Sequence, residues 1–190
     1  MTAAVVRPLR GSRSRRAALV RSILEALPAW FGIRSARDAY VVIAARERSF
    51  VAEADGTPVG FLTLKRHTSV AWEVAVMAVR PEHRRRGIGR FLIHAAEAYA
   101  HGRGAHYLTV KTLAPSARHT GFARTRAFYR AMGFEPIEVF PTLWSRENPC
   151  QLMVKNVGRR RFAIEAALIR SRQKPHTSRA EDLIREDRDR

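Results

Sequence analysis

Four arginines and two glycines crowd into the stretch Arg84–Arg90, RRRGIGR, which follows an apolar run ending in VMAV. Gly87 and Gly89 have no side chain that would keep a ligand away from the backbone. A helix that begins behind them would aim unpaired N–H groups and its positive dipole end at an anion in the loop. The stretch therefore predicts a phosphate-binding loop. The alternative is a plain strand-to-helix turn, with glycines for geometry and arginines for solubility.

The surrounding residues predict the elements that would hold this loop. Ala71 to Val79 is apolar on both faces apart from Glu73, which is typical of a central strand, and an amphipathic helix follows the loop. Two other kinds of phosphate loop do not fit. A Walker loop ends in Gly-Lys-Ser/Thr, whereas Gly89 is followed by Arg90, and a dinucleotide-binding loop needs a third glycine where Leu92 stands.

Hydrophobic periodicity predicts the remaining elements around this unit. A hairpin turns at Asp55-Gly56 ahead of the central strand. The other predicted elements are helices at Ser14–Leu27, Ser35–Ala45 (with Ser35 as a candidate N-cap) and Phe122–Met132, and strands at Val5–Val6, Tyr107–Thr112, GFEPIEVF and CQLMVK. The order is helices, three antiparallel strands, helix, strand, helix and two strands, with no internal repeat.

Composition narrows the classes of partner. The chain of 190 residues has a formal net charge of +18, which favours an anionic partner such as a phosphate-bearing cofactor, nucleic acid, an acidic protein or a membrane surface. Its single cysteine, Cys150, excludes an internal disulfide, and its histidines lack metal-ligand spacing, so no metal is expected. No apolar run approaches the roughly 20 residues of a membrane span, and no signal peptide is visible. We therefore expect a cytoplasmic protein without membrane contact.

Two motifs in sequence order carry a family resemblance. Arg84-x-x-Gly87-x-Gly89 sits between an apolar strand and a helix, and AFYRAMGF, Ala127 to Phe134, follows later in the chain. Together they resemble the signatures of the GNAT superfamily of acetyl-CoA-dependent N-acetyltransferases. The resemblance covers Val5 to Lys155 and implies an α/β fold. Its mixed, mostly antiparallel central sheet splays at the coenzyme slot and is flanked by about four helices. We expect a GNAT-like domain at residues 1–155 and a basic, partly helical extension at 156–190.

The resemblance also implies which residues would hold acetyl-CoA. In the family, backbone amides of the loop and the helix start bind the pyrophosphate, which maps here onto Arg84, Arg85, Arg86, Gly87, Ile88, Gly89 and Arg90. The end of the preceding strand, Met77, Ala78 and Val79, would pair with the pantetheine arm like an added strand. An N–H group of Ala78 or Val79 would then polarise the thioester carbonyl.

Acyl transfer to an amine needs a proton acceptor, because an alkyl ammonium with a pKa of about 10 keeps its proton at neutral pH. Glu73 is the candidate general base, acting directly or through water. Strict alternation would put Glu73 on one strand face with Ala75, Met77 and Val79. Its spacing from the loop also resembles that of the catalytic glutamate in histone-type members of the superfamily. The alternative is a buried ion pair with Lys65 or Lys111.

The departing thiolate needs a proton or strong stabilisation, and Tyr129 in FYRAMGF matches the family's usual general acid. Its alternative role is that of a core tyrosine bonded to a backbone carbonyl. The chain departs from the family pattern at Phe122, where many members have an asparagine.

The sequence thus predicts an N-acetyltransferase that moves an acetyl group from acetyl-CoA to a primary amine by direct attack. The acceptor, a small molecule or a protein amine, is left open. Aromatic residues of the loops, Trp30, Phe31 and Trp144, are candidate acceptor contacts. The competing hypothesis is a non-catalytic module that senses acyl-CoA or binds nucleic acid, although the basic chain ends lack interleaved aromatic residues for stacking. The oligomeric state is left open, with a homodimer among the options.

Overall fold

The computed structural model describes residues 4–117 and 119–158; most of the predicted C-terminal extension, from Arg159 onward, lies outside this range. The described helices are α1 (Arg13–Glu25), α2 (Pro28–Phe31), α3 (Arg34–Arg46), α4 (Ile88–His101) and α5 (Thr120–Ala131), with a 3-10 turn at Pro81–His83. The described strands are β1 (Val5–Pro8), β2 (Arg48–Ala54), β3 (Thr57–Arg66), β4 (Ala71–Val79), β5 (Tyr107–Leu113), β6 (Glu135–Phe140) and β7 (Cys150–Asn156).

The seven described strands form one sheet in the order β1-β2-β3-β4-β5-β7-β6. Every neighbouring pair is antiparallel except β4 and β5, which run parallel because α4 connects them as a crossover. The sheet confirms the predicted mixed, mostly antiparallel α/β fold, and β4 is its central strand. The last strand in sequence, β7, inserts between β5 and β6, an order that the sequence did not specify.

Each face of the sheet has its own hydrophobic cluster. On one face, Leu92 and Ile93 of α4 and Tyr129 of α5 pack against strand residues such as Leu62 and Leu108. On the other face, α1 and α3 cover β2 to β4. Their contacts include Val20, Ile23, Leu24, Val41 and Ala44 against Val51, Phe61, Val76 and Ala78. The period of the apolar residues in α1 therefore predicted its buried face correctly.

Strand β4 contains a β-bulge that overturns one prediction. Leu64 of β3 lies opposite Val74, but the next residue, Thr63, lies opposite Val76, so Ala75 is an extra residue in β4. Trp72 and Val74 pack against the α4 cluster, and after the bulge so do Met77 and Val79. Glu73 therefore does not share a face with Met77 and Val79, as strict alternation predicted; its side chain lies on the α1–α3 face.

Strands β4 and β5 separate where the bulge begins. Their parallel pairing runs only from Ala71 opposite Tyr107 to Val74 opposite Val110. Beyond that point β5 continues to pair with β7, and the end of β4 pairs with β3 alone. The expected splay is therefore present, and it leaves a gap in the sheet between the ends of β4 and β5.

Two local details differ from the predictions. Ser35 is not an N-cap: α3 begins at Arg34 after Ile33, whose side chain makes no capping bond. The segment Pro28–Ile33, whose Trp30 and Phe31 were predicted to lie in a loop, contains a single helical turn, α2, because Pro28 suits the first position of a helix.

At the C-terminal end of the described residues, β7 runs to Asn156, and Val157 is buried in the α4 cluster.

Candidate active site

The arginine-glycine loop has the backbone shape of an anion site. Gly87 is the N-cap of α4 with a φ of 77°, and Arg85 also has a positive φ, 59°. The first bond at the helix start is donated by Phe91 N–H to Gly87 O at 3.1 Å. The N–H groups of Ile88, Gly89 and Arg90 precede that bond and point out of the helix end. Left-handed residues in a turn ahead of a helix gather N–H groups into a concave donor set.

Gly89 sets how closely two helices approach. A Cβ atom at this position would lie 3.1 Å from Cζ of Phe128 in α5, tighter than an ordinary contact. The start of α4 therefore lies directly against α5, one residue away from Tyr129. The glycine that leaves the loop backbone open also brings the predicted anion site and the predicted general acid together.

The four loop arginines have different surroundings. Arg85, Arg86 and Arg90 are exposed at the mouth of the loop. Arg84 instead turns back over the strand end: its Nε donates to Val79 O at 3.4 Å, and its guanidinium stacks 4.3 Å from the ring centroid of Trp30. Burial lowers the pKa of Arg84 from its ordinary value. Arg84 thus links the loop, the end of β4 and α2.

The end of β4 offers free backbone groups to the gap. Arg80 N–H donates to Val59 O of β3 at 2.8 Å. Successive residues of a strand direct their backbone groups to opposite sides, so the N–H of Val79 faces away from β3 and toward the gap. Met77, two residues earlier, has the same orientation, whereas Ala78 faces β3. Of the two predicted oxyanion donors, Ala78 and Val79, Val79 is the one whose N–H group is directed into the gap.

Tyr129 lies on the α4 face of the gap. Its side chain is 5% exposed, and its ring makes edge contacts with Phe128 at 5.4 Å and Phe134 at 5.5 Å between centroids. Burial raises the pKa of the Tyr129 phenol well above its ordinary value, with a smaller contribution from Tyr40 of α3. Tyr40 belongs to the cluster on the opposite face of the sheet.

Glu73 lies on the opposite face, inside a hydrogen-bonded network. Its Oε1 accepts from Lys111 Nζ of β5 at 2.8 Å, and its Oε2 lies 2.5 Å from Nε2 of His67. The carboxylate side chain is only 10% exposed. One of the two predicted ion pairs, that with Lys111, is therefore present, while Lys65 lies opposite Glu73 in the β3 register with its side chain exposed.

The sheet beside Glu73 is open to an incoming molecule. On the Glu73 face, half-buried side chains come from β5 and β7: Thr109, Lys111, Leu152 and Val154. Leu108, Val110 and Met153 lie on the other face and are buried in the α4 cluster. Helices α1 and α3 cover only the β2–β4 half of this face. An open half-face next to a carboxylate and a gap is a suitable shape for an acceptor site.

The predicted aromatic contacts separate into two groups. Trp30 lies at the loop, against Arg84 and close to Gly121 of α5, and Phe31 makes an edge contact with Tyr40 at 5.8 Å. Trp144 lies apart from them in the segment between β6 and β7 and is exposed. Trp30 thus lies near the end of β4, through Arg84, and Phe31 lies against α3.

Sequence reasoning missed two residues near Glu73, His67 and Tyr40. His67 follows the end of β3, and the hairpin register that pairs Arg66 with Trp72 brings it beside Glu73, so its signal was available once the hairpin was assigned. Tyr40 precedes the buried Val41 on α3; burial raises its pKa, and Glu73 and Cys150 add to the shift. No motif marked either residue.

Two general properties complete the description of the site. Within residues 4–117 and 119–158, no three His, Cys, Asp or Glu side chains come together in a way that could hold a metal ion. Across the same part of the chain, none of the helices is long and apolar enough to cross a membrane.

Comparison with known proteins defines the class. Residues 45–136 match the family model described as an acetyltransferase (GNAT) domain. The fold is similar to that of a putative acetyltransferase of the GNAT family from Desulfovibrio desulfuricans, with 20% identity over 82% of this chain and 99% of that one and a TM-score of 0.69. The matched family region contains β4, the loop, α4 and all of AFYRAMGF.

Two further solved structures share the fold. An aminoglycoside 6'-N-acetyltransferase complexed with coenzyme A has 17% identity, covers 80% of this chain and 97% of its own, and has a TM-score of 0.63. The ribosomal-protein-S18-alanine N-acetyltransferase from Escherichia coli has 16% identity, 81% and 94% coverage and a TM-score of 0.63. The chain therefore contains a GNAT acetyltransferase domain, which confirms the resemblance seen in its two motifs.

Proposed function

We propose that this protein transfers an acetyl group from acetyl-CoA to a primary amine by direct attack of the amine nitrogen on the thioester. The observation that carries the proposal is the gap between the ends of β4 and β5, next to the open N-terminus of α4. Tyr129 lies on one face of the sheet at this gap, and Glu73 lies on the other. A thioester in the gap would therefore have a proton donor on one side and a proton acceptor on the other.

The loop and strand residues would hold the coenzyme. The N–H groups of Gly87, Ile88, Gly89 and Arg90 would bind the pyrophosphate, with the side chains of Arg84, Arg85, Arg86 and Arg90 adding charge. The pantetheine arm would extend along Met77, Ala78 and Val79. Its amide groups would pair with the outward backbone groups of Met77 and Val79, as in strand addition. The Val79 N–H would stabilise the oxyanion that forms on the thioester carbonyl.

The proton movements follow from the surroundings of the two side chains. The amine must lose a proton before or during attack, and this proton would leave toward Glu73 through ordered water. The Tyr129 phenol is protonated at neutral pH, as a general acid must be, and burial, which raises its pKa, keeps it protonated to higher pH as well. The phenol would donate to the coenzyme sulfur as the carbon–sulfur bond breaks, and the second proton of the acetylated nitrogen would return to the phenolate through water. The products are free CoA and the acetylated amine, with Tyr129 again protonated.

The acceptor would approach from the open half-face beside Glu73. Trp30, near the end of β4, and Phe31, against α3, would favour an acceptor with a flat or apolar part, and Trp144 could add to these contacts. The solved neighbours act, by their names, on an aminoglycoside and on a ribosomal protein alanine, so both small and protein amines are acceptors within this fold. An acidic acceptor would suit the strong positive charge of the chain.

The first test is whether acetyl-CoA binds. Saturating acetyl-CoA should stabilise the full-length protein, because a ligand at about 100 times its Kd adds roughly 2.7 kcal/mol to the free energy of unfolding. A panel of amines, including polyamines, aminoglycosides and peptides with free N-termini, is then assayed for release of free CoA. Absence of thermal stabilisation by acetyl-CoA would overturn the proposal. Stabilisation without turnover of any amine would favour the acyl-CoA-sensing alternative.

A further inference from the structure

His67 is fixed in position by its own turn. Its N–H donates to Ala71 O at 3.1 Å, and Thr68 N–H donates to the same oxygen at 3.2 Å. The Thr68 hydroxyl accepts from Val70 N–H and Ala71 N–H at 3.2 and 3.0 Å, which closes the turn between β3 and β4. These bonds fix the backbone of His67, and the imidazole itself makes a contact within the hairpin. That contact is Glu73, at 2.5 Å.

The Glu73–His67 pair spans from the interior to the solvent. The imidazole is 39% exposed, whereas the carboxylate is 10% exposed. Both carboxylate oxygens are already engaged, one by Lys111 and one by His67. A carboxylate in this state is poorly placed to take a proton by itself. The imidazole, whose Nε2 faces Glu73, still has Nδ1 as a second site.

We propose that His67, held by Glu73, takes up the proton that the acceptor amine loses, and so completes the proton path of the function proposed above. In the resting state Nε2–H of neutral His67 donates to Glu73. The ammonium of the acceptor passes one proton through water to Nδ1, which leaves a neutral amine and an imidazolium paired with the carboxylate. The imidazolium then releases that proton to bulk water. Glu73 is the positioning residue and counter-ion of this pair, as the carboxylate is in other carboxylate–histidine pairs.

Other charged groups face the pair and set its electrostatics. Lys111 from β5 bonds Glu73 directly, and Lys65 lies opposite Glu73 in the register of β3. Tyr40 from α3 and Cys150 from β7 lie within electrostatic reach of the carboxylate. Of these groups, Glu73 is the one that bonds directly to both His67 and Lys111, so its removal would leave both without their shared acceptor.

The test has a part that needs no substrate. Imidazole 15N–1H correlation spectra of the full-length protein give the tautomer of neutral His67 and the exchange rate of its ring N–H with solvent. We expect the Nε2–H tautomer with a slowly exchanging Nε2–H in the wild type, and loss of that slow exchange in Glu73→Ala, which removes the acceptor. A neutral His67 that carries its proton on Nδ1, or an exchange rate unchanged in Glu73→Ala, would overturn the pairing. This readout remains valid if no amine is turned over and the proposed function fails.

The kinetic part uses the fastest amine of the panel. We expect His67→Gln to lower kcat by about tenfold to a hundredfold, to leave the Kd of acetyl-CoA unchanged, and to abolish the acidic limb of the pH profile of kcat. Added imidazole should restore part of the rate of His67→Ala. His101→Gln, at the end of α4, is the matched control and should behave as wild type. A wild-type pH profile in His67→Gln, or a loss that imidazole does not restore, would show that His67 does not take up the proton.

Discussion

Burial raises the pKa of the Tyr129 phenol. The phenol lies among Phe128 and Phe134 with almost no exposure, and desolvation disfavours its phenolate. This shift links the ionisation of the phenol to folding. The phenol ionises in the unfolded chain near its ordinary pKa of 10.0 but resists ionisation in the folded protein. Its contribution to stability is thus fully present below about pH 10 and is lost as the pH rises above it.

The first prediction concerns this alkaline loss. The free energy of unfolding of the wild type should fall as the pH rises above about 10. Tyr129→Phe, which cannot ionise, should show a shallower fall at high pH and lower turnover at neutral pH. Urea unfolding at several pH values measures the first effect, and CoA release measures the second. If the free energy of unfolding falls equally in the wild type and in Tyr129→Phe above pH 10, the raised pKa of Tyr129 is contradicted.

The second prediction compares two buried glutamates. Glu97 of α4 is paired with His94 and Lys155 much as Glu73 is paired with His67 and Lys111, but on the other face of the sheet. Glu73→Gln and Glu97→Gln should each lower the free energy of unfolding by about 1–3 kcal/mol. Only Glu73→Gln should also lower kcat, with acetyl-CoA affinity kept. Equal loss of kcat in both variants would mean that Glu73 affects turnover only by stabilising the folded protein.

At the scale of elements, the loop and α4 form one unit whose geometry rests on Gly87. Its φ of 77° lies in the left-handed region, where an L residue with a Cβ is strained. Gly104, which follows α4, has a nearly equal φ of 82° and open space around its Cα. Both glycines need a left-handed backbone conformation, but only Gly87 lies at the proposed pyrophosphate site.

This contrast gives the third prediction. Gly87→Ala and Gly104→Ala should each destabilise the protein by about 1–2 kcal/mol. Gly87→Ala should in addition weaken acetyl-CoA binding severalfold, because relief of the strain moves the N–H groups at the start of α4. Isothermal titration with acetyl-CoA distinguishes the two variants. If both bind with wild-type affinity, the loop N–H groups do not hold the coenzyme.

Some features of these elements could be predicted from the sequence, and others could not. The bounds of β4, the Asp55-Gly56 turn and the start of α4 were predictable, because each depends on local signals: apolar continuity, turn residues and glycines. The bulge at Ala75 carries no such signal, since Ala75, Val76 and Met77 suit a regular strand equally well. It lies where β4 and β5 separate, and that separation is a property of the whole sheet. The contact of Glu73 with His67, in contrast, follows from the register of the β3–β4 hairpin, although no motif marked His67.

At the scale of the whole molecule, positive charge is spread over the chain rather than confined to its end. The segment 159–190 contains ten of the 35 Lys and Arg residues and six of the 17 acidic ones, so it contributes +4 of the net charge of +18. The loop, the gap and both proposed proton-transfer residues lie before Arg159. Coenzyme binding should therefore be independent of the C-terminal segment, and attraction to polyanions should depend on it only in part.

The fourth prediction tests this independence. A chain that ends at Gly158, and so retains the buried Val157, should be stabilised by acetyl-CoA as much as the full chain is. Its binding to duplex DNA in gel shifts at increasing salt should be weaker than that of the full chain but not abolished. Loss of the acetyl-CoA effect would show that residues 159–190 contribute to the site. Complete loss of DNA binding would assign that binding to the segment itself.

The insertion of β7 between β5 and β6 has a consequence for how the chain folds. During synthesis β5 emerges with one edge unpaired, and that edge stays open until Cys150–Asn156 has been made. The wall of the acetyl-transfer gap therefore becomes complete only with the last described strand. Nascent or truncated chains that stop short of Asn156 should expose the unpaired edge of β5 and aggregate. Chaperones and proteases would act on such chains before they could bind acetyl-CoA.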